Sequence, residues 1–212
     1  MAPERNELGR GLFITFEGCE SSGKSTQAMM LKDRLLSAGR DVIVTEEPGG
    51  TEIGSKIRQI LLDESSEGLT PLTEALLFAA DRSQQVTDVI RPALEKGWIV
   101  VGDRYVESSL AYQGVGRRLG LNALKNLNDW ATGELEPHLT FYLDITFELA
   151  RRRMKDVTPD RMESEPRAFH DNVRQAYLSL ASLYPSRIIN IDASQGAEEI
   201  HARVFQAVKG LL

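Results

Sequence analysis

Gly18 to Ser25 spells G-x-x-x-x-G-K-S, a spacing of glycine, lysine and hydroxyl that serves to grip a polyphosphate. Glycines at both ends let the backbone wrap an anion, so that successive N–H groups and the positive end of a following helix face the β-phosphate. Lys24 then reaches the β- and γ-phosphates, and the Ser25 hydroxyl is placed to ligate Mg²⁺. Cys19, Glu20, Ser21 and Ser22 fill the loop, and Thr26 follows it. A thiol has no task there, so Cys19 reads as a tolerated small residue.

A phosphate loop works only between a strand and a helix. Leu12 to Phe16 is an apolar, β-branched run that reads as a buried strand, and Lys24 to Leu36 reads as the helix. Val42 to Thr45 predicts a second strand, ending in Glu46-Glu47-Pro48-Gly49-Gly50-Thr51. Pro48 fixes one torsion while two glycines admit positive φ, and a sharp reversal there favours a cis Glu47–Pro48 bond. Thr51 caps a helix over Glu52 to Leu62 that carries Arg58. Pro71 opens a helical region through Lys96, divided at Pro92. Its Leu76, Leu77, Phe78 and Ala80 read as a buried face, although an apolar load from Leu72 to Ala93 also suits a partner; Asp81-Arg82 follow directly.

Trp98 to Gly102 predicts a third strand delivering Asp103-Arg104-Tyr105 at its carboxyl end, followed by Ser108 to Gly114 and a loop with Gly116-Arg117-Arg118. Helices are expected at Leu121 to Thr132, Phe147 to Lys155, Pro166 to Leu183 and Glu198 to Leu211, with strands at Leu139 to Leu143 and Ile188 to Ile191. Asp156 to Glu165 is a polar loop. Trp130 suits core or a dimer interface. His138, His170 and His201 stand at no metal-ligand spacing and read as surface residues. Alternating strands and helices give an α/β protein whose parallel sheet is covered on both faces, with ligands outside the carboxyl ends of the strands. The phosphate loop, Glu47 to Thr51 and Asp103 to Tyr105 each follow a strand. They converge on one cleft.

The 212 residues suffice for one domain with a full core. With 31 acidic against 25 basic residues and a net charge of −6, a nucleic-acid polymer is not the expected partner. A single cysteine excludes an internal disulfide and fits a reducing compartment. No apolar run approaches a membrane span, and Met1 to Arg10 lacks the apolar centre of a signal peptide, so a cytoplasmic protein is expected.

Regulatory GTPases, motor ATPases and small-molecule kinases share the phosphate loop. The Asn-Lys-x-Asp and Asp-x-x-Gly tetrapeptides of a GTPase do not occur in this sequence. A kinase acting on a phosphorylated acceptor needs a second group of cations and a mobile basic segment. Arg58, Arg82 and Arg104 supply the first, and Arg151, Arg152, Arg153, Lys155 and Arg161 supply the second.

Glu47-Pro48-Gly49-Gly50-Thr51, Leu77-Phe78-Ala79-Ala80-Asp81-Arg82, Asp103-Arg104-Tyr105 and Ala111-Tyr112-Gln113-Gly114, in this order behind the phosphate loop, resemble bacterial thymidylate kinase. The resemblance runs from about Leu12 to the carboxyl end. It implies ATP + dTMP → ADP + dTDP with Mg²⁺, a P-loop nucleoside-monophosphate-kinase fold on a five-stranded parallel sheet, and a homodimer. In it Phe78 matches the aromatic that stacks on thymine, Arg82 and Ser109 match polar contacts to the base, and Gln113 matches a further residue of the base pocket. Arg58 and Arg104 match residues holding the acceptor's 5′-phosphate, and Tyr112 matches the ring near the sugar's 2′ position. Glu20 matches an acid facing the acceptor's 3′-hydroxyl and phosphate region. Asp103 matches an acid that orders the Mg²⁺ shell beside Ser25, and Glu47 shapes the floor.

Some similar kinases carry an arginine directly after the loop's acid; Ser21 stands there and brings no charge. The transferring phosphoryl group must then be met from a lid at about 151–165, with Arg153 and Arg161 as the charge donors. The alternatives are another nucleoside-monophosphate or deoxynucleoside kinase, and a nucleotide-dependent binding switch.

Overall fold

Parallel strands buried on both faces read as near-continuous apolar runs, and the runs of this chain build such a sheet. The computed structural model describes residues 11–63, 66, 68–155 and 159–212. The charged start from Met1 to Arg10, and parts of the polar stretches at 64–70 and 156–165, lie outside the described residues. The strands are β1 (Leu12–Glu17), β2 (Val42–Glu46), β3 (Ile99–Asp103), β4 (Leu139–Asp144) and β5 (Ile188–Asp192), paired in parallel in the order β2-β3-β1-β4-β5. The phosphate-loop strand β1 is therefore central, between β3 and β4.

The helices are α1 (Lys24–Ser37), α2 (Glu52–Leu62), α3 (Pro71–Gln85), α4 (Arg91–Glu95), α5 (Val106–Ser109), α6 (Leu121–Thr132), α7 (Phe147–Arg153), α8 (Arg167–Leu183) and α9 (Ala197–Lys209). Alternation along β1 assigns them to faces. Leu12, Ile14 and Phe16 join Ala28, Leu31 and Leu35 of α1 and Ile200, Val204 and Val208 of α9 in one core. Phe13 meets Val100 across the ladder and packs with Ile90 and Ala93 beyond α3. Tyr142 of β4 stacks on Tyr177 of α8 at 4.8 Å between ring centres.

The division expected at Pro92 takes a particular form. Residues Val86–Ile90 form a single π-turn between α3 and α4, and Pro92 lies in the first turn of α4. Proline offers no N–H and crowds the carbonyl four residues back, so the ladder widens there instead of breaking. A second π-turn, Leu110–Gly116, continues α5 through a stretch whose glycines suggest only loop. Helix α7 ends at Arg153, two residues earlier than expected.

The apolar face expected to be buried on α3 divides. Ala75 and Ala79 are buried, but Leu72 and Leu76 are 58% and 49% exposed and Phe78 is half-buried. The expectation of surface histidines fails for His170, which is buried against Phe147 and Phe169. Aromatic neighbours on α7 and on its own helix accept an imidazole as a ring.

Candidate active site

Three strand ends deliver the site. After β1, Gly18 takes φ +142°, and a Cβ there would stand 2.6 Å from the Leu143 carbonyl oxygen, so only glycine turns the chain this tightly. Gly23, at φ +97°, caps α1 without a side chain and leaves its first N–H groups facing a cleft of about 490 Å³. Lys24 crosses the loop to the Cys19 carbonyl at 3.0 Å. The Ser25 hydroxyl donates to Asp103 Oδ2 at 2.5 Å. Burial pushes the Cys19 thiol up despite Lys24, which leaves it protonated and unreactive at neutral pH.

After β2, the Glu47–Pro48 bond is cis, as the sequence leads one to expect. The turn is tied from three sides: Glu47 N–H donates to the Asp103 carbonyl at 3.0 Å, Gly49 N–H to Asp81 Oδ1 at 3.0 Å, and Arg58 Nη1 to the Pro48 carbonyl at 2.5 Å. Arg58 and Glu47 thereby come to line the cleft. Arg82 lies behind them, 1% exposed, with Nε on Glu47 Oε2 at 2.8 Å, Nη1 on Ser109 Oγ at 2.9 Å and on Asn128 Oδ1, and Nη2 on the Tyr105 carbonyl at 2.9 Å. Such a satisfied guanidinium fixes its neighbours. Burial pushes the Glu47 carboxyl up, to about 8, against the pull of Arg82.

After β3, Arg104 adopts φ +75°, which is strained for a side-chain-bearing residue, and turns its guanidinium back over the phosphate loop. It donates to the Gly18 carbonyl at 3.0 Å, to Ser108 Oγ at 3.2 Å and to Glu20, and lies 5.4 Å from the Tyr112 ring centre. Burial would raise the Glu20 carboxyl, but Arg104 and then Lys24 hold it below the usual carboxylate range. Acid and arginine are therefore both charged at the edge of the phosphate loop. Two anionic groups can thus be set end to end.

The family model described as thymidylate kinase matches residues 16–204. The chain belongs to the thymidylate kinase family. It is 48% identical over 207 residues to the thymidylate kinase of Halothermothrix orenii, covering 96% of this chain and 99% of that one. It is equally 48% identical to that of an Exiguobacterium strain, over 92% of both chains. The crystal structure of thymidylate kinase from Ehrlichia chaffeensis superposes with a TM-score of 0.78 at 29% identity, over 94% of this chain and 99% of that one.

Against the thymidylate kinase resemblance, the cleft gathers Glu20 to Thr26, Glu47, Arg58, Asp103, Arg104 and Arg153. Arg153 donates to the Ser21 carbonyl at 3.2 Å and the Ala193 carbonyl at 2.8 Å, which puts a cation beside the uncharged loop position. Arg161 is elsewhere. It donates to the Leu61 carbonyl at 2.8 Å and pairs with the buried Glu74 carboxylate at 2.7 Å, on the α2–α3 rim. Gln113 and Arg117 bind the same carboxylate at 2.8 and 3.1 Å, and Arg117 also pairs with Glu165 at 2.5 Å. Tyr112 is buried, with its hydroxyl unpartnered, and Ser109 is held by Arg82.

Sequence inspection missed Glu17, Glu74, Ser108 and Asn128. Two of them carry a signal: Glu17 is the one charged residue of a fully buried strand, and Glu74 is a fully buried carboxylate in the first turn of α3. Neither shows it without the partner that lies far along the chain.

Proposed function

We propose that the chain transfers the γ-phosphoryl group of ATP to dTMP, giving dTDP and ADP with Mg²⁺, as a thymidylate kinase. The observation that carries this reading is the meeting of a phosphate loop with a separate acceptor end, Arg58, Arg104 and Glu20, in one cleft. Phosphoryl transfer asks for placement and charge neutralisation rather than covalent help. An acceptor phosphate is ionised at neutral pH, so no general base is needed.

The residues fit ATP and Mg²⁺. The α1 N–H groups and Lys24 match a polyphosphate, and a hydroxyl and a carboxylate side by side at Ser25 and Asp103 match a hard divalent cation that also takes phosphate oxygens. Mg²⁺ there would neutralise developing charge. Phe78, Ser109 and Gln113 serve the base pocket, with Arg82 behind it, and hydrogen bonds to the base edge discriminate there because an unpaired buried donor is costly. Arg82 is already saturated by protein, so its part is to fix Ser109 and Glu47.

The chain acts as one kinase domain over 1–212 with a lid at about 151–165. Arg153 stands at the loop already, whereas Arg161 reaches the transferring group only by leaving Glu74. The described residues hold no helix long and apolar enough to cross a membrane, and a lone buried cysteine suits the cytoplasm. A homodimer through α2 and α3 accounts for the exposed Ile53, Ile60, Leu72 and Leu76.

The test is turnover of dTMP against dUMP, CMP, AMP and thymidine, with Lys24→Ala as the inactive control. Selective use of dTMP is expected. Preference for another acceptor would move the enzyme within its class, and ATP hydrolysis indifferent to every monophosphate would end the kinase reading.

A further inference from the structure

The chain buries a carboxylate that the phosphoryl-transfer chemistry does not use. Glu17 closes β1, is 0% exposed, and accepts four hydrogen bonds from one short stretch and one distant helix. Its Oε1 accepts from Tyr105 N–H at 2.7 Å and Ser108 N–H at 3.3 Å; its Oε2 accepts from the Ser108 hydroxyl at 2.6 Å and the Tyr177 hydroxyl at 2.8 Å. Two of those donors are backbone groups just after Arg104. A third is the hydroxyl on which the Arg104 guanidinium rests.

From this geometry we infer that Glu17 is a positioning residue for the acceptor phosphate, acting through Ser108 and the 104–108 turn to hold Arg104 over the phosphate loop. The inference rests on Arg104 being the phosphate anchor of the proposed kinase. Arg104 needs such support because its left-handed backbone is not self-maintaining, and because the α5 N-terminus behind it has no side-chain cap. Glu17 accepts from the Tyr105 and Ser108 N–H groups and so pins both ends of that turn.

Hydroxyl orientation links the carboxylate to the arginine. Ser108 gives its proton to Glu17 Oε2, which turns its lone pairs toward Arg104 Nη1. An amide at position 17 keeps the shape and one oxygen acceptor for the two N–H groups. Its NH₂, however, must donate to the Ser108 or Tyr177 oxygen, in competition with Arg104. Burial of Glu17 is thus tied to the aim of a cation in the neighbouring cleft.

The test compares dTMP with thymidine, which lacks the phosphate, by calorimetric titration of the full-length protein at about pH 8.5, where Glu17 carries its charge. Glu17→Gln is expected to lower the ratio of dTMP to thymidine affinity at least about fivefold while leaving thymidine binding unchanged, since a charge-assisted contact is weakened but not removed. Ser108→Ala, which deletes the intermediary hydroxyl, is expected to lower the ratio similarly and serves if Glu17→Gln does not fold. Arg104→Ala should lower it further. Equal loss of both ligands in Glu17→Gln or Ser108→Ala would show that these groups only support the fold and would overturn the inference. An unchanged ratio in both variants, with a lowered ratio in Arg104→Ala, would overturn it too and leave the kinase reading intact. An unchanged ratio in Arg104→Ala would instead remove the phosphate anchor itself, and the inference with it.

Discussion

Ser25 and Asp103, 78 positions apart, meet through a 2.5 Å hydrogen bond where the phosphate loop of β1 faces the end of β3. The pairing follows from the parallel register of the two strands, which sets Phe16 opposite Asp103 and leaves the first turn of α1 above them. A hydroxyl and a carboxylate so placed would offer a shared oxygen face to Mg²⁺. Asp103→Asn should therefore raise the Mg²⁺ concentration for half-maximal activity by roughly 10- to 100-fold, with thermal stability nearly unchanged. A Mg²⁺ titration of initial rates decides it; an unshifted midpoint would exclude Asp103 from the metal shell.

Charge for the transferring phosphoryl group is expected from Arg153. It already touches the phosphate-loop carbonyl of Ser21, and arginines in this role contribute about 10³ to 10⁵ in rate in other phosphoryl-transfer enzymes. Arg153→Ala should lower kcat at least about tenfold while dTMP affinity holds, a lower bound set by the neighbouring cations. Arg161→Ala should cost less in kcat, because Arg161 begins its cycle paired with Glu74. Wild-type kcat in both single variants and in the double variant would sink the lid assignment.

The order of the elements was legible because this sheet is built from runs such as Leu12 to Phe16 and Val42 to Thr45, each bounded by glycine, proline or charge. The cleft was legible for a related reason where its residues sit at strand ends, as the phosphate loop, Glu47 and Asp103-Arg104 do, whereas Arg58 and Arg153 reach it from α2 and α7. What was not legible depends on distant partners. Gly116 looks like loop, yet it closes a π-turn, and it is glycine there because a Cβ would come within 2.6 Å of the Phe169 ring. Arg161 looks free in a basic stretch, yet Glu74 of α3 takes it. Leu76 looks like core, yet α3 turns it outward, since Ala75 and Ala79 are the residues that face inward.

Stability should carry the signature of Glu17. Burial, then repulsion from Glu107, raises its carboxyl from 4.5 to about 7, against the opposing pull of Ser108, Arg104 and Tyr177; Glu47 and Arg82 stand nearby. A carboxyl raised on folding binds more protons in the native state between those two values, so it makes stability fall as pH rises through that window. The loss is up to roughly 3 kcal/mol by linkage. Urea titrations from pH 5 to 8 should show a shallower decline for Glu17→Gln than for the unsubstituted protein. Parallel curves would mean that Glu17 titrates alike in both states.

Tyr112 is buried beneath Arg104, 6% exposed, with its ring edge-on to Phe169 and Tyr177. Held this firmly, the ring can exclude a sugar hydroxyl by volume. Tyr112→Ala should shift the ratio of dTMP to ribothymidine monophosphate turnover toward the ribonucleotide by roughly tenfold, the scale of a steric discrimination in a pocket. An unchanged ratio would place 2′ discrimination elsewhere.

Assembly is expected through the outer faces of α2 and α3, which pack side by side. Ile53 and Ile60 are 50% and 48% exposed on α2, and Leu72 and Leu76 are 58% and 49% exposed on α3. Leu72 and Leu76 are four residues apart, so they share one face, while Ala75 and Ala79 on the inward face anchor the helix to the core. An apolar face spanning two helices suits a twofold contact, in which the same patch serves both copies. A stable contact of this kind buries about 800 Å² per partner, more than these four side chains alone supply, so flanking surface must join it. Leu76→Glu would put an unpaired carboxylate into the contact twice, once from each copy. Dimer dissociation should rise at least about 100-fold, since one such buried charge costs several kcal/mol. Sedimentation velocity across a dilution series reads this directly. The substituted side chain is already half in water, so the monomer should keep its fold and its circular dichroism. If the unsubstituted protein sediments as a monomer throughout, the α2–α3 face is not a dimer contact; if Leu76→Glu remains a dimer, the contact lies on another surface.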